Sequence, residues 1–248
     1  MTELQLVVAA FFIGVVGSFL GSLVGAGGLV SIPLLIFIGL PPQVAIATNK
    51  CISVGGGATA MYKFSKAKKV LWKYVPAFIV LALIATFVGT KILLEIPEEF
   101  IKHALGGILL LFIPLLFYKK KLGTEQKEVS KNKKMFGYGL YFFGLVYAAM
   151  IGAGAGTLIF MVLMYFFGLP IIQANATDLI PWYILTCLSL IIFSFHGIVD
   201  YSVGIALLIG GLFGGYLGAK VAIQKGNARV KGIFIAVIAV SAIKLLFF

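Results

Sequence analysis

Apolar residues run along this chain in long blocks separated by short polar gaps, without the strict alternation of a half-buried strand. Blocks of this length read as helices in a lipid bilayer, where one crossing takes about 20 apolar residues. The pattern predicts helices at 4–24, 28–39, 43–64, 70–93, 99–118, 135–151, 155–168, 171–195, 201–222 and 228–247. Two of them are short. Residues 28–39 and 155–168 reach only about 18–21 Å at 1.5 Å per residue, against a hydrocarbon core of about 30 Å. Backbone that breaks at membrane depth needs cover from protein or a water-filled cavity, so both segments read as half-helices or broken helices.

The list divides into two sets of five, and the residues themselves repeat. "GLP" at 39–41 returns at 168–170, "ATN" at 47–49 as "ATD" at 176–178, and "VGTKI" at 88–92 as "LGAKV" at 217–221. "FS" at 64–65 returns at 193–194, and these four pairs share one offset, 129 positions. "VGAGG" at 24–28 returns as "IGAGA" at 151–155, offset by 127. Ordered matches at a constant spacing indicate an internal duplication. Repeat one covers 4–118, a linker 119–134, and repeat two 135–248.

Composition agrees with a membrane class. Of 248 residues, 61% are hydrophobic and 11% charged, with mean hydropathy +1.11. The expected fold is all-α and polytopic, since a transmembrane barrel would show shorter, alternating segments. The net charge of +12 raises nucleic acid as a partner, but 15 of the 20 basic residues fall in the gaps 63–73, 119–134 and 225–231. That is the positive-inside pattern, so the partner is the lipid bilayer and nucleic acid is excluded.

Charge also orients the repeats. Loop 63–73 carries five lysines and reads as cytoplasmic, while its partner "FHGIVDY" at 195–201 has no Lys or Arg and reads as outside. The acidic turn at 94–100 reads as outside and its basic partner at 224–231 as inside. Matching loops fall on opposite sides, which predicts inverted-topology repeats in the cell (inner) membrane with both termini outside. An eight-crossing model with re-entrant short segments is the alternative. The linker reads as a flexible cytoplasmic connector within reach of anionic lipid.

Few charges lie within the helices. Lys91 and Lys220, near helix ends, read as snorkelling to the headgroups. Lys50 and Asp178 are the informative pair, because a charge in the bilayer costs at least about 2.5–3.5 kcal/mol and marks a pathway, a partner or a protonation site. A direct Lys50–Asp178 ion pair and a role in mechanism both stay open. Polar neighbours gather there: Thr48, Asn49 and Ser53 with Lys50, and Asn175 and Thr177 with Asp178. The glycine runs 25–28 and 152–156 each open a short helix, whose N-terminal N–H groups and dipole suit an anion; close packing through small residues is the plainer reading. Cys51 and Cys187 read as small buried residues. No metal or cofactor pattern is present, and the absence of HExxH, of paired intramembrane carboxylates and of CxxC makes a membrane-embedded enzyme a poor fit.

At these residues the chain resembles the TauE/SafE family of sulfite-exporter-like membrane proteins. "VGAGGLVSIPLLIFIGLPPQVAIATNK" and "IGAGAGTLIFMVLMYFFGLPIIQANATDL" both carry the glycine cluster, short apolar helix, Gly-x-Pro-like turn and Ala-x-Ala-Thr of that family. The resemblance covers essentially the whole chain and implies movement of sulfite, sulfonates or other small organosulfur anions. Carried over by motif, Gly25, Gly27, Gly28, Thr48, Asn49, Gly152, Gly154, Thr177 and Asp178 line the site, and Lys50, Ser53 and Asn175 join them on physical grounds. The expectation is a secondary transporter exporting a small sulfur oxyanion by alternating access. Lys50 supplies attraction and Asp178 is the proton-coupling site, since a lone buried carboxylate can exchange a proton near neutral pH. A passive channel or an uptake transporter of the same anions is the alternative. No cofactor is needed, and a homo-oligomer stays open.

Overall fold

A computed structural model describes residues 2–97 and 123–247, with side chains to 236. The predicted helix 99–118, with His103, lies outside the described residues. Among the described residues, eight helical elements follow in order: α1 (Glu3–Val24), α2 (Gly27–Phe37), α3 (Pro42–Lys66), α4 (Val75–Glu95), α5 (Lys131–Met150), α6 (Ala155–Phe166), α7 (Ile171–Phe195) and α8 (Tyr201–Phe247). Gly226 (φ 74°, ψ 168°) breaks α8 into two helical stretches, as the gap between 222 and 228 predicts. The fold class is all-α, as expected.

Among the described residues, α1, α4, α7 and the first stretch of α8 are long and apolar enough to cross a membrane. Their outward stripes are apolar, as on α1 at Leu4, Val8, Phe12 and Val16 and on α8 at Ile205, Ile209 and Phe213. Spacing of four residues keeps such a stripe on one face, the face lipid would cover. α3 is as long as α7 but more polar, and 14 of its 25 residues are buried. Its polar groups therefore look onto protein, between α1, α7 and α8.

The two short helices, of 11 and 12 residues, span about 17–18 Å. Each folds back along the helix before it. Gly17 and Gly21 of α1 lie against Gly27 and Ser31 of α2, and Gly137 and Gly144 of α5 lie against Phe166 and Ile159 of α6. The reversals need backbone that only glycine adopts cheaply: Gly25 sits at φ +71°, and Gly152 and Gly154 at +82° and +74°.

α3 and α7 share local geometry. α3 and α7 have equal length, and their flanks match at the offset of 129. Pro41 (φ −56°, ψ 147°) and Pro170 (φ −61°, ψ 149°) precede them, placing helix starts where a missing N–H costs nothing. Beyond their ends, Lys68 takes the left-handed conformation (φ 54°) at the place where Gly197 (φ 69°) sits.

Lipid is as apolar as the helices, so tight packing between them relies on small residues. Gly210, Gly214 and Gly218 of α8 face the carbonyls of Phe11, Val15 and Phe19 of α1 so closely that a Cβ would collide with each. Gly89 of α4 meets the Val146 carbonyl of α5 in the same way. Gly89 and Gly218 stand 129 positions apart and serve the same close approach in two helix pairs, α4 with α5 and α8 with α1.

The linker corrects an expectation. From Gly123 it is docked, not a free connector: Lys127 N donates to the Gly168 carbonyl and Ile171 N to the Gly123 carbonyl, both at 2.9 Å. Asn227, just past the kink, joins it, with Nδ2 donating to the Thr124 carbonyl (3.3 Å) and Oδ1 accepting from Ile172 N (3.2 Å). The turn before α7 supplied unpaired backbone groups, and the linker satisfies them.

Candidate functional site: a cavity between the two glycine breaks

The breaks meet. A Cβ on Gly156 would lie 2.6 Å from the Gly25 carbonyl oxygen, and one on Gly28 would lie 3.0 Å from that of Gly152. Each break thus rests on the other's backbone, which only glycine permits. Beside them opens a cavity of about 70 Å³, lined by α1, α2, α3, α6 and α7. By volume it takes about five water-sized occupants, the scale of a small polyatomic ion.

Eight of the twelve residues singled out in the sequence line it: Gly25, Gly27, Gly28, Asn49, Ser53, Gly152, Asn175 and Asp178. The N-termini of α2 and α6 both reach this wall, through Gly27 and Gly28 and through Gly156, and no side chain caps either. Uncapped N-termini present free N–H groups and a positive dipole end.

The side chains at the wall are held in place. Ser31 Oγ donates to Asn49 Oδ1 at 2.5 Å, fixing the amide at the wall. Tyr141 OH donates to Asp178 Oδ1 at 2.6 Å. Asn175 Nδ2 donates to the Ser22 carbonyl at 2.5 Å, tying α7 to the end of α1. Asn49 and Asp178 stand 129 positions apart, so α3 supplies an amide and α7 a carboxyl to the same cavity.

Four expected residues do not line the cavity: Thr48, Lys50, Gly154 and Thr177. Gly154 instead serves as the left-handed residue ahead of α6. Lys50 forms no ion pair with Asp178. Its Nζ donates to the Ala148 carbonyl at 2.7 Å, in the last turn of α5, where unpaired carbonyls and the negative dipole end favour a cation. That amine stands behind Gly152, 3.6 Å from where a Cβ on that residue would lie. Thr48 and Thr177 are fully buried and meet the loops that follow α7 and α3 instead: Thr48 Oγ1 accepts from Asp200 N and Thr177 Oγ1 from Leu71 N, both at 3.0 Å.

Sequence reasoning missed Tyr141, Ser31 and the α1 face of Gly17, Ser18, Gly21 and Ser22, along with the apolar wall of Ile52, Phe160, Leu179 and Trp182. The spacing of Gly17/Gly21 and Ser18/Ser22 was the available signal, a small, hydroxyl-bearing helical stripe. Among the described residues no cluster of His, Cys, Asp or Glu suits a metal ion.

Comparison with known proteins places this architecture. The model of the sulfite exporter TauE/SafE family matches residues 10–245. A "Probable membrane transporter protein" of Haemophilus influenzae is 25% identical over 228 residues, covering 92% of this chain and 89% of the relative. The "Probable membrane transporter protein YfcA" of Escherichia coli K12 is 27% identical over 242 residues, covering 96% and 88%. YjnA of Bacillus subtilis, with the same description, is 26% identical over 249 residues, covering 93% and 97%. No solved structure matches. The relatives are named as probable membrane transporters, and this chain belongs to the sulfite exporter TauE/SafE family of membrane proteins.

Proposed function

We propose that the protein is a secondary transporter that carries a small sulfur-containing oxyanion, such as sulfite or a sulfonate, through the cavity between the repeats. The observation that carries this reading is the convergence of two uncapped, glycine-led helix N-termini with Asn49 and Asp178 on one small cavity. The N–H groups and the Asn49 amide would bind the oxygens, Ser53 and Asn175 complete the polar wall, and Lys50 adds positive potential from behind Gly152.

Asp178 would couple the anion to a proton. A carboxylate repels an anion in the same cavity, so the anion binds with Asp178 protonated, and proton and anion cross together. Direction then follows the summed gradients, and export follows when the anion accumulates inside. The mechanism is alternating access by two repeats of inverted topology. Support comes from the antiparallel run of α3 and α7: the start of each lies beside the loop that ends the other. The basic segments 63–73, 119–134 and 225–231 would face the cytoplasm.

The test is flux of labelled sulfite in proteoliposomes at imposed pH gradients, with sulfonates as competitors. Efflux should saturate, fall with competitor, and rise when the interior is the more acidic side. Flux equal to that of empty liposomes for every sulfur anion would remove the substrate assignment.

A further inference from the structure

The Ala-x-Ala-Thr motif occurs twice, yet its threonines do not line the cavity. Both are completely buried and both spend the hydroxyl oxygen on a loop of the opposite repeat. The two bonds are equivalent by duplication. Thr48 and Thr177 differ by 129 positions, and so do Leu71 and Asp200, whose N–H groups they accept at 3.0 Å. Each loop also carries a left-handed residue, Lys68 or Gly197, that turns the chain back inward after its helix.

The bonds sit at opposite ends of the α3–α7 pair. Each threonine is the seventh residue of a 25-residue helix, about 9 Å in from a helix start, and the two helices run antiparallel. Loops 67–74 and 196–200 therefore enter from opposite ends. Each threonine is also the direct neighbour of a cavity residue: Thr48 precedes Asn49, and Thr177 precedes Asp178.

We propose that Thr48 and Thr177 are a matched pair of latches, each holding a loop of the opposite repeat over one end of the pathway, and that access alternates by releasing one while the other stays closed. The proposal rests on the alternating-access reading and is independent of which anion is carried. The threonines are positioning residues: they act by fixing loops and by setting the rotation of the helix turn that carries Asn49 or Asp178. Ala45, Ala47, Ala174 and Ala176, at most 1% exposed, complete the motif by letting the threonine turns pack closely.

The experiment reads access from each side. A single reporter cysteine is placed at the cavity by Ser53→Cys in a Cys51→Ala, Cys187→Ala background. Right-side-out and inside-out membrane vesicles are then labelled with a membrane-impermeant thiol reagent. Thr48→Val and Thr177→Val keep the shape and remove the acceptor, leaving a backbone N–H unpaired, which shifts the closed–open balance by about tenfold. The expected result is a rise in labelling of that order from one face with Thr48→Val and from the opposite face with Thr177→Val. Thr→Ser at each position should return the rate to that of the reporter background. Unchanged labelling, or an equal rise from both faces with either variant, overturns the latches. Hydrogen exchange is a second readout: Thr48→Val should speed exchange of the Asp200 amide and not of Leu71, Thr177→Val the reverse, and variants that speed both amides or neither would also overturn the latches. Because neither measurement uses substrate, a failed sulfur-anion flux leaves this result readable, and a failed latch leaves the flux result standing.

Discussion

Replacing Asp178 by Asn removes one titratable group while keeping shape and one acceptor. Oδ1 of the new amide can still take the Tyr141 hydroxyl, which lies 2.6 Å from the carboxyl in the native chain. The structure should therefore survive and the charge chemistry should not. In a cavity of about 70 Å³ an anion sits within a few ångströms of residue 178. Two unit negative charges about 4 Å apart repel by about 4 kcal/mol at an effective dielectric constant of 20. That corresponds to roughly a thousandfold weaker anion binding when Asp178 is ionised. Wild-type affinity should fall as Asp178 loses its proton with rising pH, and Asp178→Asn should lack that part of the fall. In proteoliposomes with labelled sulfite, an acidic interior should speed efflux by the wild type, and the variant should show exchange that ignores the gradient. A variant that keeps the full gradient dependence would refute the reasoning, because the coupling proton would then reside elsewhere.

Other expectations concern the framework. Gly156→Ala sets a Cβ 2.6 Å from the Gly25 carbonyl oxygen, backbone against side chain with no flexible end to yield. It should lower stability by about 1–3 kcal/mol, read as a lower thermal midpoint in detergent, while Gly139→Ala, with nothing within 4 Å of the new methyl, should be neutral or mildly stabilising. Lys50→Met deletes the bond to the Ala148 carbonyl and should cost about 1–3 kcal/mol by the same assay. It should also raise the apparent KM for the anion, since a positive charge behind the Gly152 wall is lost. An unchanged KM with lowered stability would make Lys50 a helix cap alone.

Much of this organisation was legible in the residues. The offset of 129 is written in short motifs at helix starts and turns, where backbone geometry restricts residue choice, as at Pro41 and Pro170. The short helices were legible because glycine runs and prolines bound apolar blocks too short to cross. The site was harder to read, for a rotational reason. Successive helix residues are about 100° apart, so Thr48, Asn49 and Lys50 point to three different surroundings although they adjoin in sequence. Asn49 meets the cavity, Thr48 meets the loop at Asp200, and Lys50 reaches the end of α5. The Lys50–Asp178 pairing failed for a related reason. Their separation is 128, so at the offset of 129 Asp178 matches Asn49, and the lysine stands one turn-step away. Tyr141 gave no signal, because one tyrosine in an apolar helix looks like packing until its partner is known. Ser18 and Ser22 were hidden for another reason: a small-residue stripe serves helix packing and cavity lining equally well.

The most direct test of carriage by alternating access is trans-acceleration with the purified protein. Proteoliposomes loaded with unlabelled sulfite, and a matched set without it, receive labelled sulfite outside at equal pH. A carrier returns faster loaded than empty when its site is exposed to each face in turn. Uptake of label should therefore saturate with concentration and run several-fold faster into the loaded vesicles. Uptake that rises linearly with concentration and ignores the internal anion would contradict the account and make the cavity part of a passive pore.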